Sequence, residues 1–182
     1  LNGDLPFTGP AVFGHEVAGI VEAVGCDVTS VKPGDHVIAC ASGFCGHCST
    51  CVSGKSHLCA DKPRRGAGTR PRLTLGGKPV MQGMQIAGFA EMVLLHQNYI
   101  VAVDRELPLD LAALLGCGVV TGLGTVINRA QVVPGSKVVV VGCGGVGLNV
   151  IQGARISGAS QIVAVDLAPG KLELARKMGA TD

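Results

Sequence analysis

Four cysteines fall as Cys45-x2-Cys48-x2-Cys51-x7-Cys59. Two-residue gaps let tight turns aim successive sulfurs at one centre. The longer gap lets the chain loop back and close a four-thiolate shell, the kind that holds structural zinc in tetrahedral geometry. Gly43, Gly46 and Gly54 supply the turns. An iron–sulfur cluster or a pair of disulfide-bonded hairpins also uses closely spaced cysteines, and ligand chemistry favours the closed zinc shell over both. His47 lies between two of the cysteines and reads as a bystander.

A second group is the run Gly142-Cys143-Gly144-Gly145-Val146-Gly147, which matches G-x-G-x-x-G. In a chain with 28 glycines the pattern alone is weak. Its setting strengthens it, because it follows the β-branched run 137–141, opens an apolar helical run, and is succeeded by Asp166 at the end of the next strand-like run. There Gly142, Gly144, Gly145, Val146 and Gly147 would let a pyrophosphate approach the backbone at a helix N-terminus, and Asp166 would accept hydrogen bonds from an adenosine ribose. Asp166 would also repel a 2′-phosphate, and Leu167 rather than an arginine follows it, so NAD is expected over NADP. The alternative is a structural glycine turn in some other α/β protein. Gly14-His15-Glu16 and Cys117 say less by themselves. A histidine beside a glutamate is ordinarily a packed or surface pair, and a single cysteine is ordinarily a core thiol.

The elements that position these residues change character along the chain. Strand-like runs at 17–21, 37–39, 91–95 and 100–103, separated by glycine turns, suggest a small barrel that the cysteine lobe at 40–60 interrupts. Leu111, Ala112, Leu114 and Leu115 have helical spacing up to Cys117, and 121–129 forms another helix. The run at 137–141 reads as a strand buried on both faces of a parallel sheet, followed by a helix at 146–157 and a second buried strand at 161–165. A last helix starts at Pro169 and ends at Gly179, with Leu172, Ala175 and Met178 on one face. The predicted division is a β-rich part, 1–118, and the opening of a doubly wound α/β domain, 119–182.

Composition narrows the function classes. Of 182 residues 47% are hydrophobic, enough for a real core, while aromatics are only 3% and the net charge is +2. The stretch 62–90 holds Lys62, Arg64, Arg65, Arg70, Arg72 and Lys78 and no acid, which is the one support for a non-enzymatic zinc module that binds nucleic acid or protein. Phe89 is its only aromatic residue, so a solvated loop is the expected reading and no nucleic-acid partner is expected. Neither a leader nor an apolar run of transmembrane length is seen, so no membrane partner is expected. Cys26, Cys40 and Cys143 have no evident mates, which fits a reducing, cytoplasmic compartment.

The order of these pieces resembles the zinc-dependent medium-chain alcohol dehydrogenases. Members of that family carry Gly-His-Glu before a valine- and glycine-rich strand, then a four-cysteine lobe, a later cysteine and a Rossmann fingerprint. The resemblance covers almost the whole chain. It implies an α/β protein with a GroES-like β-barrel catalytic part bearing the zinc lobe, followed by the first half of a Rossmann doubly wound sheet. It further implies that His15 and Cys117 bind a catalytic zinc with Glu16 beside it or as an occasional ligand, that Thr121 lies near the nicotinamide, and that Lys171 helps hold the adenosine ribose. The implied activity is reversible hydride transfer between an alcohol and NAD, with zinc in a structural and a catalytic role. Primary alcohols and aldehydes are the expected substrates, Ala41 and Ser42 hinting at a pocket not crowded by aromatics, and a thiol-adduct formaldehyde dehydrogenase shares the same motifs. The intact protein is expected to be a homodimer or homotetramer. The family's remaining catalytic-zinc ligand, a cysteine, lies upstream of Gly-His-Glu, and the far half of its Rossmann sheet lies downstream. The chain is therefore expected to be a piece lacking both ends, without turnover of its own.

Overall fold

Short β-branched runs between turns give the first part of the chain its strands. The computed structural model describes residues 9–63 and 70–182, and the chain divides into two units, Leu1–Gly116 and Cys117–Asp182. The first unit contains β1 (Ala11–Val12), β2 (Val17–Ile20), β3 (His36–Ala39), α1 (Ser49–Val52), β4 (Leu73–Leu75), β5 (Lys78–Gln82), β6 (Ile100–Ala102) and α2 (Leu109–Ala112). Its strands form two three-stranded sheets, β1-β5-β4 and β2-β3-β6. In the second, β3 is central and antiparallel to both neighbours, with Val17 opposite Ala39 and Val37 opposite Ala102. Asp35 braces the turn into β3: its Oδ2 accepts the Lys32 amide at 3.0 Å and its Oδ1 meets Lys32 Nζ at 2.9 Å, which holds the carboxyl below its usual range.

Two features of this unit depart from the pattern expected of the sequence. The hairpin β4–β5 forms within the basic stretch, closed by Gly76 and Gly77 at φ 55 and 77° with Leu75 paired to Lys78. Left-handed conformations at both central residues are what a two-residue hairpin turn requires. The strand expected at 91–95 does not form. The Leu94 carbonyl accepts instead from Arg72 Nη1 at 2.8 Å and Gln82 Nε2 at 3.4 Å, so side chains occupy the acceptor that a neighbouring strand would use.

The second unit runs α3 (Gly118–Gly124), a π-helical turn (Thr125–Ala130), β7 (Lys137–Val141), α4 (Gly145–Ile156), β8 (Gln161–Val165) and α5 (Pro169–Met178). The two strands pair in parallel from Lys137 opposite Gln161 to Val141 opposite Val165. The core gathers Val126, Val140, Cys143, Ile151, Ala154, Ile162 and Ala175, with Leu172 and Met178 packed at its edge. β7, expected from its unbroken valines to be buried on both faces, is covered among the described residues of this chain on one face only, with Val139 and Val141 63% and 80% exposed. The core lies on one face of the pair, against α4 and α5, so alternate valines point away from it. Among the described residues no single helix is long and apolar enough to cross a membrane.

The burial pattern gives a direct test. Ile151 is fully buried at the centre of this core, and Ile151→Ala is expected to destabilise the unit by about 2–5 kcal/mol. Val141→Ala, on the open face, is expected to change stability by no more than about 0.5 kcal/mol. Urea unfolding of the two variants checks this, and equal losses would contradict the one-sided core.

Candidate metal and dinucleotide sites

In the cysteine lobe, α1 and a 3-10 turn (Ser56–Leu58) bring four sulfurs together. The Sγ atoms of Cys45, Cys48, Cys51 and Cys59 all lie within 4.8 Å of one another. The separations are 3.4 Å for Cys48–Cys51, 3.8 Å for Cys48–Cys59 and 3.9 Å for Cys45–Cys51. Sulfurs about 2.3 Å from a tetrahedral zinc stand about 3.8 Å apart, whereas a disulfide needs about 2.0 Å. All eight cysteines are free, so the hairpin-disulfide alternative does not hold. The Cys45 and Cys48 amides donate to the sulfurs of Cys59 and Cys45, both at 3.3 Å, a favourable setting for negative sulfur.

The Thr50 hydroxyl at 3.0 Å from Cys48 Sγ, then the Cys51 amide, draws the Cys48 thiol down to about 5. Burial pushes Cys51 up to about 12. Thiols this close cannot all ionise against one another, and a divalent ion removes that conflict. A second three-donor group, Cys45, His47 and Asp61, reuses Cys45 and exposes its other two members, so it offers no closed shell and His47 stays a bystander.

His15 and Glu16 belong to the first unit, the imidazole half-buried and the carboxylate exposed. Their backbone is fixed from one side: Phe13 and Gly14 carbonyls accept the amides of Phe89 and Gly88 at 2.9 and 2.8 Å. Gly14 sits at φ 92°, and a Cβ there would lie 2.7 Å from the Phe89 nitrogen, so the glycine of Gly-His-Glu is required for this pairing. Cys117 opens the second unit as the half-buried N-cap of α3. The preceding Gly116 has no room for a side chain, since a Cβ would overlap the Ala39 carbonyl oxygen. Thr121 is exposed one turn into α3, its amide donating to the Cys117 carbonyl at 2.9 Å. Of the basic stretch, Arg70 and Arg72 line a cavity of about 420 Å³ with His96 and Tyr99. Arg64 and Arg65 lie outside the described residues.

The glycine turn is assembled between β7 and α4. Gly142 turns at φ 91°, and Gly147 must lack a side chain because a Cβ would overlap the Gly142 carbonyl oxygen. At Gly144 and Gly145 an added Cβ would meet nothing within 4 Å. No side chain caps α4, whose first turn includes Val146. A pyrophosphate fits this donor set: open backbone amides at a helix N-terminus beside side-chain-free space. Asp166 follows β8 directly. Its Oδ2 accepts the Cys143 amide at 2.8 Å, its Oδ1 accepts the Ala168 amide at 2.9 Å, and Lys171 Nζ stands 3.6 Å from Oδ2. The Ala168 and Cys143 amides hold the carboxyl below its usual range. Sequence reasoning found Asp166 and Lys171 but not these backbone contacts.

The alcohol dehydrogenase GroES-like domain family matches residues 2–105, and the zinc-binding dehydrogenase family matches residues 145–182. The chain belongs to the zinc-dependent medium-chain alcohol dehydrogenase family. It is 47% identical over 179 residues to the S-(hydroxymethyl)glutathione dehydrogenase of Saccharomyces cerevisiae, which covers 95% of this chain and 46% of that protein. Benzyl alcohol dehydrogenase from Acinetobacter calcoaceticus superposes with a TM-score of 0.84 at 38% identity, over 97% of this chain and 49% of its own. An alcohol dehydrogenase zinc-binding domain protein from Burkholderia ambifaria gives a TM-score of 0.82 at 39% identity, over 97% and 49%. The chain thus spans about half the length of the relatives it matches. Its fold is theirs, a GroES-like part followed by a Rossmann-type unit.

Two outcomes follow from the geometry. The double variant Cys48→Ser, Cys51→Ser is expected to lose one zinc per chain by elemental analysis together with proteolytic resistance of the lobe, and unchanged zinc content would contradict the four-sulfur site. Because the folded carboxyl of Asp166 titrates below 3.8, its stabilising contribution is fully present above that value and is lost as pH falls through the lower folded value. The melting-temperature gap between wild type and Asp166→Asn should therefore hold at neutral pH and narrow as pH falls below the ordinary carboxylate range; a gap unchanged in acid would refute it.

Proposed function

We propose that this chain carries the zinc- and NAD-binding machinery of an alcohol dehydrogenase that moves hydride reversibly between a primary alcohol and NAD. The observation supporting this most directly is the glycine turn with Asp166 hydrogen-bonded to it at 2.8 Å. In this reading residues 1–118 are the catalytic part, with the zinc lobe at 40–60, and the NAD-binding part begins at 119. Cys45, Cys48, Cys51 and Cys59 hold a structural zinc that has no open position and takes no part in turnover. His15 and Cys117, with Glu16 beside them, are ligands of the catalytic zinc. Bound there, zinc supplies Lewis-acid polarisation of the alcohol oxygen, and the nicotinamide supplies the hydride acceptor.

The chain's own residues bind and orient. Amides of Gly144, Gly145 and Val146 take the pyrophosphate charge at the head of α4. Asp166 accepts the ribose hydroxyls and repels a 2′-phosphate, and Lys171, 53% exposed, offers a mobile donor to the same sugar. Thr121 lies on the nicotinamide side. The intact protein is a cytoplasmic homodimer or homotetramer with no nucleic-acid or membrane partner. Membership of a dehydrogenase family favours an enzyme over a non-enzymatic zinc module. The name of the yeast relative makes S-(hydroxymethyl)glutathione the second substrate to try.

The test is a steady-state assay of the intact protein with NAD or NADP against primary alcohols and S-(hydroxymethyl)glutathione. His15→Ala and Cys117→Ala are each expected to lower kcat/KM by about 10³-fold or more while the lobe zinc remains. Near-normal turnover in either variant would overturn the ligand assignment, and preference for NADP would overturn the role given to Asp166.

A further inference from the structure

Resting on the dinucleotide reading above, we infer that Asp166 is also the positioning residue of the glycine turn: its carboxylate clasps that turn to the head of α5, and so acts on a pyrophosphate it never touches. The parallel ladder between β7 and β8 ends with Val141 opposite Val165. Beyond it the Gly142 amide still reaches a main-chain acceptor, the Val165 carbonyl at 2.8 Å. The next donor, the Cys143 amide, meets the Asp166 side chain instead, with Oδ2 at 2.8 Å. A carboxylate thus takes over as acceptor where the two strands diverge. The substitution matters because Cys143 is 1% exposed, so its amide has no easy recourse to water.

The same carboxylate holds the other side. Its Oδ1 accepts the Ala168 amide at 2.9 Å, and Ala168 is the N-cap of α5. With one oxygen on each turn and only 9% of its side chain exposed, Asp166 is fixed. Fixing the Cys143 amide inward fixes which way the next amides point, and these are Gly144 and Gly145 at the open end of α4. Removing the carboxylate therefore frees the buried Cys143 amide and the half-buried Ala168 amide, and lets the pyrophosphate turn relax. Lone pairs remain on both oxygens for ribose hydroxyls, so clasp and ribose contact coexist.

A ligand without ribose hydroxyls separates the two roles. Affinities of ADP and of 2′,3′-dideoxyadenosine 5′-diphosphate are measured by calorimetry on intact wild type, Asp166→Ala and Asp166→Asn, with amide exchange followed on the same proteins. The clasp predicts that Asp166→Ala weakens the dideoxy nucleotide about 10-fold or more, a loss equivalent to about 1.4 kcal/mol. It predicts that Asp166→Asn, which keeps one acceptor oxygen, falls between. Cys143 and Ala168 amides should lose protection while those of the β7–β8 ladder keep it. A dideoxy affinity unchanged in Asp166→Ala, with ADP weakened, overturns the clasp and leaves a ribose-only role. Should Asp166→Ala fail to fold, Asp166→Asn decides alone: a loss of dideoxy affinity supports the clasp and no loss overturns it. Absence of ADP binding by wild type would instead overturn the dinucleotide reading, and this inference with it.

Discussion

His15, Cys117 and the glycine turn ahead of α4 are placed by main chain pressed against main chain. His15 follows a glycine whose Cβ would strike the Phe89 nitrogen, Cys117 follows one whose Cβ would overlap the Ala39 oxygen, and α4 begins over a turn closed by Gly147 on Gly142. A side chain at any of these points would force the backbones apart and move the functional group beside it. Protein interiors are too densely packed to absorb such a shift locally. With aromatics at only 3%, the chain positions its sites by backbone proximity rather than by wedging large side chains between elements.

The cysteine lobe is organised by a different force. Its α1 buries no residue and its 3-10 turn buries none, leaving Cys59 as the one buried cysteine of the four. A loop without a hydrophobic centre cannot offset the entropy of ordering its chain through apolar burial. Four sulfurs at tetrahedral spacing suit a divalent cation that would take the place of that centre. Sequence spacing revealed this site because ligand chemistry, unlike packing, is written in the identity and interval of a few residues.

Legibility elsewhere followed the same distinction. From β7 onward the second unit could be read nearly to the residue, since 137–141, Pro169 and Gly179 carry strong local signals, whereas the helix expected at 121–129 begins instead at Gly118 and passes into a π-helical turn at Thr125. Burial could not, because β-branched Val139 and Val141 look alike whether a sheet is covered on one face or two. The hairpin at Gly76 and Gly77 was hidden among prolines and arginines, although two adjacent glycines flanked by Leu75 and Lys78 were a usable hairpin signal. The false strand at 91–95 has good local propensity, and what defeats it is non-local: Arg72 and Gln82 claim the Leu94 carbonyl. The anchoring of Asp166 was invisible for that reason too. Its donors are backbone groups, one of them 23 residues away, which no residue type records.

Asp166 and Lys171 show why neighbours in one site differ in how replaceable they are. Lys171 is half exposed and stands 3.6 Å from its partner, a separation at which solvent screening leaves little net attraction. Its flexible stem lets it follow a ligand, and it fixes nothing when none is present. Asp166 is nearly enclosed and each of its oxygens takes a backbone hydrogen bond, so its geometry exists before any ribose arrives. On the proposed reading, the residue that would read the 2′ position is thereby tied to the turn that would receive the pyrophosphate. If that reading holds, a change of cofactor preference made at Asp166 alone would disturb both, and a relative gain for NADP would come with an absolute loss unless another group supplied an acceptor for the Cys143 amide.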